Sequence, residues 1–453
     1  MLTGLKMSEL IGALSHALDM TEGQPKGHCV RSCWIGMHIA RELGMPDAQQ
    51  WELYYTLLLK DLGCSSNAAR ICQLYATDDL NFKHDFKTVD GSLPQVLRFV
   101  MRHTGLSGSL AERFRALMTI MRDGSEIAQE LIQTRCERGA DIAKKLRFSD
   151  GVAAGIRGLD EHWNGNGKPL GLAGEAIPLY ARIALLAQVI DVFQISSTPE
   201  LALQEVQHRS GSWFDPQLVK VFERVAAKQQ FWAMLSDPDL EQAVMTLEPA
   251  QHEVTLDENY LDEIAAAFGQ VVDSKSPYTA GHSERVALYT DMICEQLELS
   301  ANDRRWLKRG ALLHDIGKLG VSNSILDKPG KLDDREWALV RQHAAFTEEI
   351  LIRISAFSHL ARIAGAHHER LDGKGYPRGL SAADISLETR IITTADIFDA
   401  ITADRPYRGP IPIPAALEIM EAEVGTAIDA DCFNALKAAL QQLEQDSPTP
   451  EPA

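Results

Sequence analysis

Apolar residues along this chain recur mostly at steps of three and four, the period of a helix with one buried stripe. The segments TLDENYLDEIAAAFGQVV, RVALYTDMICEQL and PAALEIMEAEV follow it, and strand-like alternation is scarce. The pattern predicts an all-α fold. Several polar residues fall inside the apolar stripes. His282 is in register with Val286, Tyr289, Ile293 and Leu297, His314 with Leu307 and Ala311, and Asp396 follows Ile392 by four positions. Leu360, Ile363, Ala364 and His367 predict a helix running through His367. On that helix His368 would point about 100° away, toward a second ion and not the same one. A buried carboxylate without a partner costs several kcal/mol. Buried imidazoles beside it also need partners, and metal coordination meets these needs together.

The chain also repeats itself. His28-Cys29-Val30-Arg31 matches His282-Ser283-Glu284-Arg285, and Leu58-Leu59-Lys60-Asp61 matches Leu312-Leu313-His314-Asp315, both at an offset of 254. Asn164-Gly165-Asn166-Gly167 matches Asp372-Gly373-Lys374-Gly375, and Arg182 matches Arg390, at an offset of 208. The first copy therefore carries 46 extra residues between Asp61 and Arg135. In the first copy His314 becomes Lys60, His343 becomes Arg135, His367 and His368 become Leu159 and Asp160, and Asp396 becomes Gln188. Only His28 and Asp61 keep a ligand type, so this copy is expected to keep its fold, hold no metal pair, and serve dimerisation, regulation or ligand sensing. The expected organisation is a degenerate domain over 1–235, a linker over 236–256 rich in Pro, Asp and Glu, a catalytic domain over 257–445 and a disordered tail over 446–453.

Composition narrows the function. At 453 residues and 45% apolar content the chain suits two or three packed domains. Runs such as ARIALLAQVIDVF are shorter than the ~20 residues of a membrane span, and a basic region followed by an apolar signal core is missing at the start. Seven cysteines without a CxxC pair read as reduced thiols, so a cytoplasmic protein with no membrane span is expected. The formal charge of −18 argues against nucleic acid polymers as partners. A small anionic ligand would instead need metal ions and a few placed Lys or Arg side chains.

Residues 367–380 read HHERLDGKGYPRGL, a histidine pair followed by glycines and a proline, which suggests a two-metal floor under a Gly-rich lip. Taken in order, GHSERV, HDIGK, His343, HHERLDGKGYP and ADIFDAITADRPYR resemble the HD-GYP domain, a branch of the HD metal-dependent phosphohydrolases, over about residues 257 to 443. The first half resembles a decayed copy of it.

The resemblance implies metal ligands at His282, His314, Asp315, His343, His367, His368 and Asp396, holding two or three divalent ions, iron or manganese. It further implies that Asp315 bridges two ions, that Lys318 meets the phosphate, and that the Gly373–Pro377 segment forms the lip with Tyr376 above the site. Arg285, Arg378, Arg405 and Arg408 are candidates to hold a second phosphate or stack on a base. Two ions lower the pKa of a shared water from 15.7 to about 7, so no protein nucleophile is required. The implied reaction is hydrolysis of cyclic di-GMP to linear pGpG and on to GMP. The alternatives are a phosphodiesterase for 3',3'-cyclic GMP-AMP, or a non-catalytic adaptor that binds cyclic di-GMP or a GGDEF-domain protein through the GYP surface; a homodimer is a further expected assembly. Ala344 and Ser276 depart from residues common in the family, and neither is a ligand. Asp273 lies near the site in sequence without an assigned role.

Overall fold

The computed structural model describes residues 5–75, 77–87, 89, 93–105, 110–249, 256–406 and 408–446. Among these residues the fold is all-α, with isolated bridges and no strand. The chain divides into two compact units, Met1–Tyr260 with Ser322–Ser324, and Leu261–Val321 with Ile325–Ala453.

In the second unit the helix His282–Gln296 packs against Ala301–Leu313, Leu387–Thr402 and Ala430–Asp446. Val286, Ile293, Leu307, Ala311, Ile392, Ala395, Phe398 and Leu436 form its core. Burying each larger aliphatic residue there contributes about 1.5–3 kcal/mol. Local signals set the helix starts. Ser300 and Ser386 accept from the third backbone amide of their helices, and Asp333 with Glu336 closes a capping box at the start of Asp334–Leu351. The helix His282–Gln296 follows Gly281, whose φ of 68° suits glycine. Asp273 sits at that start and accepts from Ser283 N at 3.1 Å and Ser283 Oγ at 2.7 Å.

The first unit repeats these details at the two sequence offsets. Gly27 has a φ of 84° before the helix His28–Glu42, and Asp19 accepts from Cys29 N at 2.8 Å. Glu161 accepts from Leu170 N and Leu172 N, as Glu369 does from Arg378 N and Leu380 N. The extra residues build the helices Ala68–Tyr75, Asp79–Phe86 and Leu93–His103 and lengthen the next helix, Leu110–Lys145. Ile71, Tyr75, Phe82, Phe99, Val100 and Ile120 give them an apolar cluster of their own.

The structure bears on three expectations. The segment expected as a linker contains the helix Leu240–Met245, because Leu240 and Val244, four apart, are buried. The first unit accordingly extends to Tyr260, while residues 250–255 lie outside the described set. Of the expected tail, Asp446 ends a helix, and 447–453 lie outside the described residues. The helix Leu179–Ser196 is long and apolar enough to cross a membrane by composition, and 67% of it is buried inside the protein. Its Asp191 bonds His28 and Arg31, as befits a core helix.

Candidate metal centre

The site is assembled from the ends and middles of five helices. His282 opens its helix, His314 follows Leu313, and Asp315 leads a short 3₁₀ turn, Ile316–Gly320. His343 lies mid-helix in Asp334–Leu351, and Asp396 in Leu387–Thr402. The 3₁₀ turn rests directly on the backbone of the His343 helix. A Cβ on Gly317 would lie 2.0 Å from His343 O, so glycine is required there to bring Asp315 beside His343. Thr347 ties the two segments, donating to His314 O at 2.9 Å and accepting from Gly317 N at 3.0 Å.

His367 and His368 arrive differently from the expectation. The helix Ser358–Ala364 ends before them, and both occupy the following turn. A turn escapes the 100° divergence of neighbouring helical residues, so the two rings stand 4.0 Å apart and both face the cluster. Thr393 fixes this turn by donating to His367 O at 2.8 Å.

The donor atoms converge. His282 Nε2 and His314 Nε2 lie 3.2 and 3.3 Å from Asp315 Oδ2, and 3.5 and 3.8 Å from Asp396 Oδ1. His343 Nε2 and His367 Nε2 lie 3.3 and 3.7 Å from the other Asp315 oxygen, Oδ1. Each oxygen of Asp315 thus faces a different pair of imidazoles. The ring atoms of His343, His367 and His368 form a further group within 4.8 Å.

The outer ring nitrogens fix the tautomers. Nδ1 of His314, His343 and His367 bonds the carbonyls of Ala311, Val340 and Ala364, each at 2.6 Å, and Nδ1 of His282 bonds Asp399 Oδ2 at 2.7 Å. These oxygens only accept, so each Nδ1 donates, and a ring in its neutral form turns a bare Nε2 inward. Bare nitrogens of His343 and His367 stand 3.3 Å apart, a repulsive contact unless a cation lies between them. His282 Nε2, His314 Nε2 and Asp315 Oδ1 are buried without a hydrogen-bond partner. Divalent metal ions fit this donor set and would satisfy those atoms together.

Electrostatics agree. Burial pushes His343 down to about 4 and His368 down to about 3, leaving neutral rings at pH 7. Burial also opposes charge on His314, but Asp315 and Asp396 outweigh it and lift the ring to about 10. Without cations the carboxylates therefore draw protons into the cluster, and ions binding there would displace them.

The other expected site residues divide. Lys318 Nζ contacts Asp315 Oδ2, and the Tyr376 ring lies 4.8 Å from His368 and 6.3 Å from His343. The structure brings both to the centre. The arginines proposed for substrate have structural partners. Arg285 bonds Asp399 at 2.6 and 3.0 Å, although it also borders a cavity of about 600 Å³ lined by Tyr278, Tyr289 and Asp404. Arg378 bonds Glu348 at 2.8 Å, Arg405 bonds Ala400 O at 3.3 Å, and Arg408 bonds Ala400 O and Ile401 O. Asp273, left without a role, caps the helix that carries His282.

Sequence reasoning missed Asp399, which orients His282, and Glu369, which holds the lip through Arg378 N at 2.7 Å and Leu380 N at 2.8 Å. Both have first-unit counterparts at the offset of 208, Asp191 and Glu161, and that was the signal available.

In the first unit cations stand where the second unit gathers ligands. Lys60 contacts Asp61, Arg135 contacts Asp160, and Lys87 lies 2.9 Å from Glu22 and 3.5 Å from His28 Nε2. Glu22, Asp61 and Cys64 do group closely, but Lys87 and Lys60 already neutralise the two carboxylates.

Comparison with known proteins is consistent with this two-copy architecture. The HD domain family model matches residues 117–218 and again 267–432. The chain is 60% identical over 440 residues to a Vibrio cholerae protein named 3'3'-cGAMP-specific phosphodiesterase 3, covering 97% of this chain and 96% of that protein. A crystal structure of a cyclic GMP-AMP specific phosphodiesterase of V. cholerae, 54% identical, matches over 98% of this chain and 100% of that one with a TM-score of 0.68. The cyclic di-GMP phosphodiesterase response regulator RpfG of Xanthomonas campestris is 36% identical over 190 residues, 40% of this chain and 49% of that protein.

Proposed function

Because the chain belongs to the HD domain family, and within it to the HD-GYP branch, we propose that its second unit is a metal-dependent phosphodiesterase that opens 3',3'-cyclic GMP-AMP to a linear dinucleotide. Sequence alone ranked cyclic di-GMP first and cyclic GMP-AMP second. The order reverses because the relatives matching nearly the whole chain are named for cyclic GMP-AMP, while RpfG, named for cyclic di-GMP, matches 40% of it.

The observation that carries the hydrolytic reading is the convergence of buried Nε2 atoms on the two oxygens of Asp315, three of these donor and acceptor atoms being unpartnered. His282, His314, His343, His367, His368, Asp315 and Asp396 would hold the ions, and imidazole with carboxylate and no thiolate suits iron or manganese. When bound, such ions supply Lewis acidity to a phosphodiester and acidify a water for in-line attack. The protein's own part is positional. Backbone carbonyls and Asp399 keep protons on Nδ1 and off the inward nitrogens. Lys318, paired with Asp315, brings a positive charge to the phosphate side, and Tyr376 over His368 limits where a nucleotide can lie. A cytoplasmic site of action accords with seven free cysteines, six of them buried.

The test is product analysis by chromatography on metal-loaded full-length protein given 3',3'-cyclic GMP-AMP. A linear dinucleotide formed by the wild type and not by Asp315→Ala supports the proposal. An intact substrate in the presence of bound ions overturns it.

A further inference from the structure

A cyclic dinucleotide has two phosphodiesters, and the one that is not cleaved needs a cationic partner of its own. The arginines expected to supply it from sequence are held by Asp399, Glu348 or backbone carbonyls. Arg341 is different. It lies on the helix Asp334–Leu351, two residues before His343, and is exposed. Among the described residues it has no carboxylate or carbonyl partner. Its guanidinium instead lies near two aromatic rings, 5.4 Å from the centroid of Tyr376 and 5.9 Å from that of Trp337. Tyr376 in turn lies against His368, so the series His368, Tyr376, Arg341, Trp337 leads from the metal centre outward. Trp337 is 43% exposed, an unusual position for the largest apolar side chain.

We propose that Arg341, flanked by Tyr376 and Trp337, is the subsite for the distal half of the substrate. The guanidinium binds the phosphodiester that is not cleaved, and the exposed indole offers a stacking face to a purine. This rests on reading the second unit as a cyclic dinucleotide phosphodiesterase. An arginine already braced by rings loses little freedom when it binds, and the fork of its N–H groups matches two phosphate oxygens. In a chain of net charge −18, an unpaired guanidinium next to an anion-cleaving centre also offsets the general repulsion of the ligand.

The experiment compares two substrates on metal-loaded full-length protein. 3',3'-Cyclic GMP-AMP has a second phosphodiester; bis(4-nitrophenyl) phosphate has only one. Arg341→Ala should raise KM for the cyclic substrate about ten- to hundredfold, as loss of a charge-assisted hydrogen bond implies. Its loss on bis(4-nitrophenyl) phosphate should be at least about tenfold smaller, and Arg341→Lys should recover part of the binding by restoring charge without the fork. Equal losses on both substrates would mean that Arg341 supports the metal centre instead, and overturn the assignment. So would unchanged kinetics on the cyclic substrate. A wild type that leaves cyclic GMP-AMP intact removes the functional reading itself, which is a separate outcome.

Discussion

Replacing Asp399 with Asn isolates the contribution of a residue that touches no metal ligand site directly except through His282. Asp399 is buried, with Oδ2 2.7 Å from His282 Nδ1 and Oδ1 2.6 Å from Arg285 Nε. Asn keeps the shape but presents one donor. If its NH₂ faces Arg285, two donors meet at that short distance. If it faces His282, the imidazole must move its proton to Nε2 and lose the lone pair aimed at the cluster. Changes of this kind typically cost 10–100-fold in metal affinity, about 1.4–2.7 kcal/mol. The first unit provides a matched control. Asp191 bonds His28 Nδ1 at 2.7 Å and Arg31 Nε at 2.6 Å, but His28 Nε2 faces Lys87 and no ligand cluster. Asp191→Asn should therefore lower thermal stability by a similar amount, about 1.5–3 kcal/mol for charged hydrogen bonds, without weakening metal. Competition with a fluorescent chelator measures affinity, and a thermal melt measures stability. Wild-type affinity in Asp399→Asn, or an equal loss in Asp191→Asn, would rule out a part for Asp399 in holding the His282 tautomer for metal.

Asp315→Ala should abolish turnover and reduce metal content while circular dichroism stays helical, because Leu307 and Ala311 remain packed; a full metal complement with near-normal turnover in that variant would contradict the role given to Asp315. Chelation should lower the melting temperature of the wild type reversibly, since ligand at 100 times its Kd stabilises a fold by about 2.7 kcal/mol; an unchanged melt would contradict a structural stake in the ions. Burial alone would raise the Glu22 carboxyl, but Lys87, Lys83 and Arg135 outweigh it and hold it well below its ordinary 4.5. Its folded pKa being depressed, its stabilisation is present above about pH 4.5 and lost as pH falls below that. Glu22→Gln strands Lys87 and should cost about 3–5 kcal/mol at neutral pH, with the gap to wild type narrowing in acid; melts at a series of pH values would show it.

The inward positions of His282, His314 and Asp396 were readable from helical period alone, because their stripe partners Val286, Ile293, Leu307 and Ile392 are fully buried. The internal repeat was equally readable, since two fixed offsets survive in the sequence, and its structural details, down to Glu161 and Glu369, follow them. His367 and His368 were misread as helical because Leu360, Ile363 and Ala364 continue the period up to a turn that tertiary contacts impose. Thr393 binding His367 O and Glu348 pressing on Gly365 are not local signals. Lys87 was hidden for a related reason, as it comes from the extra residues of the first copy and has no partner in the alignment. Arginine roles were the least legible. A motif places an arginine near a site, but only the packed structure shows whether a carboxylate such as Asp399 or Glu348 has already claimed it.

On the proposed function, the second unit with its ions prefers the hybrid cyclic dinucleotide. The most direct test is kcat/KM for 3',3'-cyclic GMP-AMP and for cyclic di-GMP on the same metal-loaded preparation, assayed side by side. Hydrolysis of both or of the hybrid alone is expected, with the hybrid favoured by at least about tenfold, a difference of ~1.4 kcal/mol. Equal or reversed kcat/KM values, or no hydrolysis of either with the ions bound, would contradict it.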